Sequence, residues 1–192
     1  MNSENKSNIA VIEFKSISKG IAVTDEMLKS AEVNLVLAST LCPGKYLTVL
    51  EGDVSAAENA VRTADRLGGR HVFSSEVISG INLEVIRAIG GKLASAPLGS
   101  IGIIEGLQMS NLISSADRSA DSADVVFLDF RLGRGCGAGS FFVITGILSS
   151  VEEAVENAIS YLGRCGSLIA YKIINNPDRQ VIRWLRSSFS RC

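Results

Sequence analysis

An internal repeat constrains the fold of this chain more than any other feature. Ile9–Glu13 (Ile-Ala-Val-Ile-Glu) matches Ile101–Glu105 (Ile-Gly-Ile-Ile-Glu) at a shift of 92 residues. Farther along, the segment 52–64 matches the segment 146–158 at a shift of 94. The two extra residues therefore enter the second copy between these matches, where Arg131–Gly135 lies. Matches that keep register across a whole unit indicate the tandem duplication of one small domain.

Both copies show the same order of predicted elements: strand, helix, strand, strand, helix, strand. The apolar run Ile9–Phe14 is typical of a buried strand, and the stretch after Ser55 places its alanines on one stripe of a helix. Hydrophobic residues make up 46% of the chain, which is enough to fill a core in each copy. The predicted fold is α/β (α+β): two domains, 8–90 and 99–187, each a small sheet containing antiparallel strands and flanked by helices, joined by a linker at Ala88–Pro97.

Local capping patterns set the predicted helix boundaries. Thr24–Glu26 offers a cap and an acidic first turn for the first helix, and Ser55 offers a cap for the second, which Gly68-Gly69 ends. In the second copy, the helix that corresponds to the first is predicted to begin at Ser114. Asn176-Pro177-Asp178 predicts a cap followed by a proline at the first position of a C-terminal helix.

Charge and composition exclude several classes of function. A net charge of −1 and an aromatic content of 6% argue against a nucleic-acid partner. Ile9–Ile12 is too short for a signal peptide or a membrane span, so the sequence predicts a cytosolic protein with no membrane association. In the cytosol the four cysteines stay reduced, which leaves metal ligands, redox thiols or buried residues as their roles.

Two cysteines occupy equivalent loops of the two copies. Pro43-Gly44 predicts a hairpin tip, and Cys42 and Cys136 each lie ten residues before a matched glycine, Gly52 or Gly146. The chain has no Cys-x-x-Cys pair, so one chain lacks the usual spacing of a metal site. Cations near these cysteines can lower a thiol pKa; they are Lys45, Arg131 and Arg134.

The remaining chemical groups favour structural roles. The glycine-rich segment Gly133–Gly139 lacks the Gly-Lys-Ser/Thr ending of a phosphate-binding loop, and no catalytic triad can be assembled around His71. Glu13 and Glu105 are repeat-equivalent acids at strand ends, where a structural hydrogen bond is the expected role. Two further cysteines are expected to be inert: Cys165 as a small packing residue and Cys192 as part of a frayed terminus.

The repeated segments resemble the shell proteins of bacterial microcompartments. The residues that carry the resemblance are Ala10–Glu13 on the first strand, Asp25–Val33 on the first helix, Gly52–Val54 before the second helix, and the loop Leu41–Gly44. The resemblance implies the tandem-domain class, in which three chains form a pseudohexameric tile with pore loops around a central axis. By this resemblance the pore-loop residues are Thr40, Leu41, Pro43, Gly44 and Lys45 in the first copy and Arg134, Gly135, Gly137 and Ala138 in the second.

The first loop, Thr40–Lys45, is similar to that of the iron–sulfur-binding tandem shell proteins of propanediol-utilisation compartments. This resemblance implies that Cys42 and its symmetry mates hold a [4Fe–4S] cluster on the three-fold axis. Such a cluster needs thiolates that converge from several directions, and three-fold symmetry turns one cysteine into three. The nearby cations could offset the charge of the cluster. Cys136 departs from the pattern, and three interpretations stay open: a ligand of the same cluster, a second thiolate ring, or a residue displaced in a mobile glycine-rich loop that binds no metal.

The expected function is structural and non-enzymatic. The chain is predicted to be a homotrimeric tile that meets other shell proteins edge to edge, with a cluster that passes electrons across the shell. A redox enzyme, encapsulated or cytosolic, is a further candidate partner. One alternative is a tile with a metal-free pore for small metabolites, and another is a soluble redox enzyme or a ligand-binding regulatory module on the same duplicated fold.

Overall fold

The computed structural model describes residues 5–94, 99–133 and 139–187, and the chain divides into two compact units with a boundary after Ile86. The first unit is built from β1 (Lys6–Phe14), α1 (Ile17–Ser30), β2 (Asn34–Leu41), β3 (Lys45–Gly52), α2 (Val54–Gly68) and β4 (Val72–Asn82). A further helix, α3 (Leu83–Ile89), spans the boundary. This helix includes Ala88 and Ile89, so the prediction that these two residues belong to the linker is wrong. The bounds 8–90 and 99–187 stay a prediction.

The second unit repeats the same order of elements. It contains β5 (Ser100–Gly106), α4 (Met109–Ser122), β6 (Val126–Arg131), β7 (Ser140–Gly146), α5 (Leu148–Arg164) and β8 (Leu168–Ile174), followed by α6 (Arg179–Ser187). The predicted order of strand, helix, strand, strand, helix and strand is thus confirmed twice, and the fold class with it.

Each unit holds one four-stranded antiparallel sheet, in the order β2-β3-β1-β4 or β6-β7-β5-β8. The first edge strand of each sheet carries a bulge at the matching place, after Leu35 and after Phe127. Seven residues separate the paired Ser39 and Leu47, whereas nine separate the paired Arg131 and Phe141. The register therefore confirms the duplication and places the two extra residues in the β6–β7 hairpin.

The first two helices begin earlier than their local sequence patterns predict. Ser16 caps α1, and Thr24 lies inside that helix, where its hydroxyl donates to the Gly20 carbonyl at 2.8 Å and lies 2.7 Å from the Thr48 hydroxyl. The predicted cap at Thr24 is therefore wrong, because this side chain is used to join the helix to the sheet. Asp53, not Ser55, caps α2 by accepting a hydrogen bond from the Ala56 N–H at 2.7 Å.

The other helix boundaries show one success and two further corrections. Gly69 ends α2 with a φ of +50°, as the Gly-Gly pair predicts. The helix α4 begins at Met109 rather than Ser114, because its buried stripe already starts at Leu112 and Ile113. Asp178, not Asn176, caps α6 by accepting from the Gln180 N–H at 2.7 Å, so the preceding proline lies outside the helix.

In the first unit, α1 and α2 pack together on one face of the sheet. Alternate residues of β1, among them Ile12 and Phe14, join Met27 of α1 in a core from which water is excluded. Gly20 allows α1 to approach the sheet closely, because a Cβ there would lie 2.5 Å from Cδ1 of Tyr46. The packing of α1 on the sheet therefore fixes the position of β3, and with it the position of the hairpin loop that precedes β3.

The second unit covers both faces of its sheet. Buried residues of α4 and α5 pack on one face, and Gly102 of β5 lies directly under Val155. On the opposite face, Ile182 and Leu185 of α6 pack against a cluster that includes Val143. The sheet is therefore the middle layer of a three-layer unit.

Candidate functional site

The first hairpin presents a thiol at its tip. The paired residues Leu41 and Lys45 close the ladder between β2 and β3, which leaves Cys42, Pro43 and Gly44 as the loop. Pro43 follows a cis peptide bond, and Gly44 has a φ of +73°, a conformation that favours glycine. The sequence predicted a hairpin tip over Thr40–Lys45; the tip is confirmed and is shorter, because the strands extend to Leu41 and from Lys45.

The environment of this loop changes from buried to open within a few residues. Leu41 is 6% exposed and anchors the strand end, whereas Cys42 is a free and exposed cysteine. A Cβ built on Gly44 would meet no atom within 4 Å. Within one chain, nothing among the described residues crowds the loop at this glycine, so a second molecule or a cluster has room to approach the thiol.

The cation next to the loop is already paired. Nζ of Lys45 lies 2.7 Å from Oε1 of Glu13 on β1 and 3.6 Å from the ring centroid of Phe73 on β4. The side chain of Glu13 is 7% exposed and that of Lys45 is 24% exposed. The positive charge that the sequence offered to the thiol is thus offset by a buried carboxylate. The structural role predicted for Glu13 is confirmed.

The second hairpin has a different ion pair at its base. Nε of Arg131 donates to Oδ2 of Asp129 at 2.9 Å, and Nη2 lies 2.7 Å from the same oxygen. Asp129 is fully buried, and the guanidinium lies over the rings of Phe141 and Trp184. The charge of Arg131 is therefore also neutralised, in this case by a carboxylate on the same strand. Glu105, the equivalent of Glu13, is exposed.

The predicted site residues fall into two groups. Thr40, Leu41, Cys42, Pro43, Gly44 and Lys45 lie together in the first hairpin. The predicted residues of the second loop lie outside the described part of the chain: the pore-loop residues Arg134, Gly135, Gly137 and Ala138 and the candidate metal ligand Cys136. Cys192 also lies outside it. Their roles stay predictions. Cys165 is exposed at the end of α5, so its assignment as a packing residue is wrong.

The sequence did not predict that Lys45 pairs with Glu13 or that Asp129 pairs with Arg131. A charged residue within an apolar run, as in Val-Val-Phe-Leu-Asp-Phe, was the available signal for Asp129. No comparable signal existed for Lys45, because its partner lies 32 residues away on another strand. His71 lies in a short turn before β4, where its carbonyl accepts from the Lys15 N–H at 2.8 Å.

The described residues of one chain do not form a metal site by themselves. Among them, no group of three or more His, Cys, Asp or Glu side chains is close enough to hold an ion. An exposed thiol at a loop tip nevertheless has the donor chemistry that an iron–sulfur cluster requires, provided that other chains supply further thiolates. The donor set of Cys42 therefore fits a cluster shared between subunits.

No helix in the described part of the chain is long and apolar enough to cross a membrane.

A cleft of about 800 Å³ lies in the second unit beside the first turn of α5. Residues that line it include Ser100, Asn175 and Ile147. The Ser100 hydroxyl donates to Oδ1 of Asn175 at 3.0 Å, and the residue before α5, Ile147, provides no side-chain cap. Within the cleft, the Ser100 hydroxyl and the Asn175 amide oxygen are therefore already paired with each other.

Comparison with known proteins gives consistent matches over both units. The model of the BMC domain matches residues 8–81 and again 100–177. The bacterial microcompartment shell protein PduT of Citrobacter freundii is 34% identical over 175 residues, which cover 91% of this chain and 95% of that protein. The carboxysome assembly protein CcmO of a Synechocystis strain is 29% identical, and the match covers 88% of this chain and 61% of that longer protein.

A solved structure extends the comparison to three dimensions. A microcompartments protein from Desulfitobacterium hafniense DCB superposes with a TM-score of 0.88 at 31% identity. The match covers 92% of this chain and 98% of that one. The similarity thus includes both units and is not confined to one repeat.

Proposed function

Because the chain belongs to the BMC-domain family of bacterial microcompartment shell proteins, we propose that it forms a trimeric, pseudohexameric tile whose central axis carries an iron–sulfur cluster. The chain is a structural shell protein of the tandem-domain type, located in the shell of a cytoplasmic microcompartment. The observation that carries the cluster proposal is the free, exposed Cys42 at the tip of the first hairpin.

A trimer follows from the need for convergent ligands. One chain offers a single described thiol at this loop, and three-fold symmetry turns one thiol into three. Two domains per chain would place six similar domains around the axis, which is the basis of the pseudohexameric tile. The edges of such a tile would then meet other shell proteins.

Within this arrangement, the residues of the first hairpin would have distinct roles. Cys42 would supply the thiolate, and the bare backbone at Gly44 would leave room for neighbouring chains. Leu41 would hold the strand end in the core. When bound, the cluster would supply one-electron transfer, which suits a conduit across the shell and a redox enzyme as a partner. No catalytic residue is needed, and we propose a non-enzymatic role.

The test is the metal content of protein purified without oxygen. We expect wild-type protein and the control Cys165→Ser to be brown and to contain about four iron atoms per three chains, the content of one [4Fe–4S] cluster. Cys42→Ser is expected to be colourless. The control removes the other described exposed thiol and so separates a specific ligand from any accessible cysteine.

Two results would contradict a cluster held by Cys42. Wild-type trimers free of iron would favour the alternative of a metal-free pore for small metabolites. Iron retained by Cys42→Ser would move the site to another cysteine, of which Cys136 is the first to substitute.

A further inference from the structure

The Lys45 side chain points away from the cysteine loop. Lys45 is the first residue of β3, directly after the loop, and β3 lies between β2 and β1 in the sheet. Its ammonium contacts Glu13 of β1 at 2.7 Å and the ring of Phe73 on β4 at 3.6 Å. The side chain thus extends toward the far edge of the sheet, on the side opposite to β2.

Burial makes this ion pair hard to break. The carboxylate side chain of Glu13 is 7% exposed, and its neighbour Ile12 on β1 is fully buried. Salt screens such a pair much less than a surface pair, and an unpaired carboxylate in this place would be strongly unfavourable. Glu13 therefore holds Lys45 in one place.

The second unit has the same combination of groups, but it uses different positions. Asp129 and Arg131 form its ion pair, and the cation lies over Phe141. The positions equivalent to Glu13 and Lys45 cannot form an ion pair in the second unit, because Glu105 is exposed and Gly139 stands in place of the lysine. A buried acid, a cation and an aromatic ring thus occur together at the base of both hairpins, but they stand at different positions in the two repeats.

We propose that Glu13 is a positioning residue for the cysteine loop: through Lys45 it fixes the start of β3 and removes a free positive charge from beside Cys42. This inference deepens the proposed function and rests on it only where a cluster is concerned. In a trimer, loss of the Glu13 charge would release three lysine charges around the axis.

The first experiment needs no metal. Intact metal-free protein is treated with acetic anhydride, and the acetylation rate of each lysine is followed by mass spectrometry. In Glu13→Gln we expect Lys45 to react roughly threefold faster or more than in the wild type, because the neutral amide binds the ammonium weakly. Lys172, which is exposed on β8, serves as the internal standard. The matched control variant is Glu105→Gln, which is expected to leave Lys45 unchanged.

The second experiment measures the midpoint potential of the cluster in protein purified without oxygen. Glu13→Gln is expected to raise the potential, since an unpaired cation favours the reduced, more negative cluster. Replacing the cation as well, in Glu13→Gln/Lys45→Met, should restore the wild-type value. Lys45→Arg keeps the charge and the pair and should leave the potential unchanged. A purely structural role for Glu13 would not produce this pattern.

The outcomes separate the two proposals. Equal Lys45 acetylation in wild type and Glu13→Gln overturns the inference, whether or not iron is present. Faster acetylation with an unchanged potential also overturns it, because the charge then has no effect on the loop. If the wild type binds no iron, the cluster proposal fails, and faster acetylation of Lys45 in Glu13→Gln alone supports the inference.

Discussion

Asp53 and Ile147 occupy equivalent positions, each just before the second helix of its domain, yet only Asp53 caps that helix. The N–H of Ala56, and next the hydroxyl of Ser55, hold the pKa of Asp53 below its usual value of 3.8. Its folded-state pKa is therefore lower than its unfolded pKa. The stability that this carboxylate contributes is present above about pH 4 and is lost as the pH falls through the folded-state pKa.

Substitution of Asp53 should consequently have an effect that depends on pH. Asp53→Ala is expected to lower the unfolding temperature at pH 7, because the first turn of α2 loses its acceptor. The difference from the wild type should shrink in solutions more acidic than the usual aspartate pKa. Thermal unfolding at matched protein concentration across this range is the measurement, and a difference that does not change with pH would contradict the capping role.

The reverse substitution tests the other domain. Ile147 is 72% exposed and precedes α5 without a side-chain cap. Ile147→Asp should stabilise the protein by about 0.5–1 kcal/mol, the usual contribution of an N-cap. The control Ile147→Ala removes the same side chain without adding an acceptor and should leave the stability nearly unchanged. Equal denaturation midpoints for the two variants would refute the prediction.

The buried pair of the second hairpin can be compared with the residues of the first. Asp129 and Arg131 stand where the first domain has Leu37 and Ser39. Arg131→Ser alone should cost about 3–5 kcal/mol, because it leaves a fully buried carboxylate without its partner. Asp129→Leu/Arg131→Ser should recover most of that loss. Chemical denaturation of the variants tests this, and a double variant as unstable as Arg131→Ser would contradict it.

At the scale of elements, the strands were predictable and the helix starts were not. Runs such as Ile9–Phe14 carry their own apolar signal, so every strand of the repeat was located. Thr24–Glu26 has the local pattern of a cap, but tertiary contacts decide its role: Thr24 bonds across to Thr48. The short helix α3 was missed because the following Gly90-Gly91 favoured a linker.

Close packing of α5 on β5 gives a prediction at this scale. Gly102 stands where the first domain has Ala10, and a Cβ there would lie 2.6 Å from Cγ2 of Val155. Gly102→Ala is therefore expected to destabilise the second domain by about 1–3 kcal/mol through overpacking. Adding Val155→Ala should relieve the clash, leaving only the cost of the smaller side chain. The two variants are compared by denaturant unfolding, and a stable Gly102→Ala would show that the helix can shift.

At the scale of the whole molecule, the repeat and the order of its elements indicated the family, and the comparisons confirm it. The metal content of the proposed tile could not be predicted as fully, because a shared cluster would depend on residues from several chains. The position of Cys42 in a hairpin tip followed from Pro43-Gly44, whereas the pairing of Lys45 with Glu13 required the sheet order.

Assembly supplies the prediction for this scale. Light scattering should give a mass about three times the 20.4 kDa of one chain. Cys42→Ser should keep that mass, because the tile would be held by its protein interfaces and the cluster would only occupy its axis. A monomeric wild type would rule out any role that needs convergent loops.

The proposed function depends most on what occupies the three-fold axis of the proposed trimer. Anomalous diffraction at the iron edge, from crystals grown without oxygen, locates iron directly. We predict a group of iron peaks centred on the axis, in which each of the three Cys42 sulfurs bonds a different iron of the cluster at about 2.3 Å, as for other metal–thiolate bonds. An axis without iron, or a three-fold axis from which the Cys42 loops are distant, would contradict the proposed cluster.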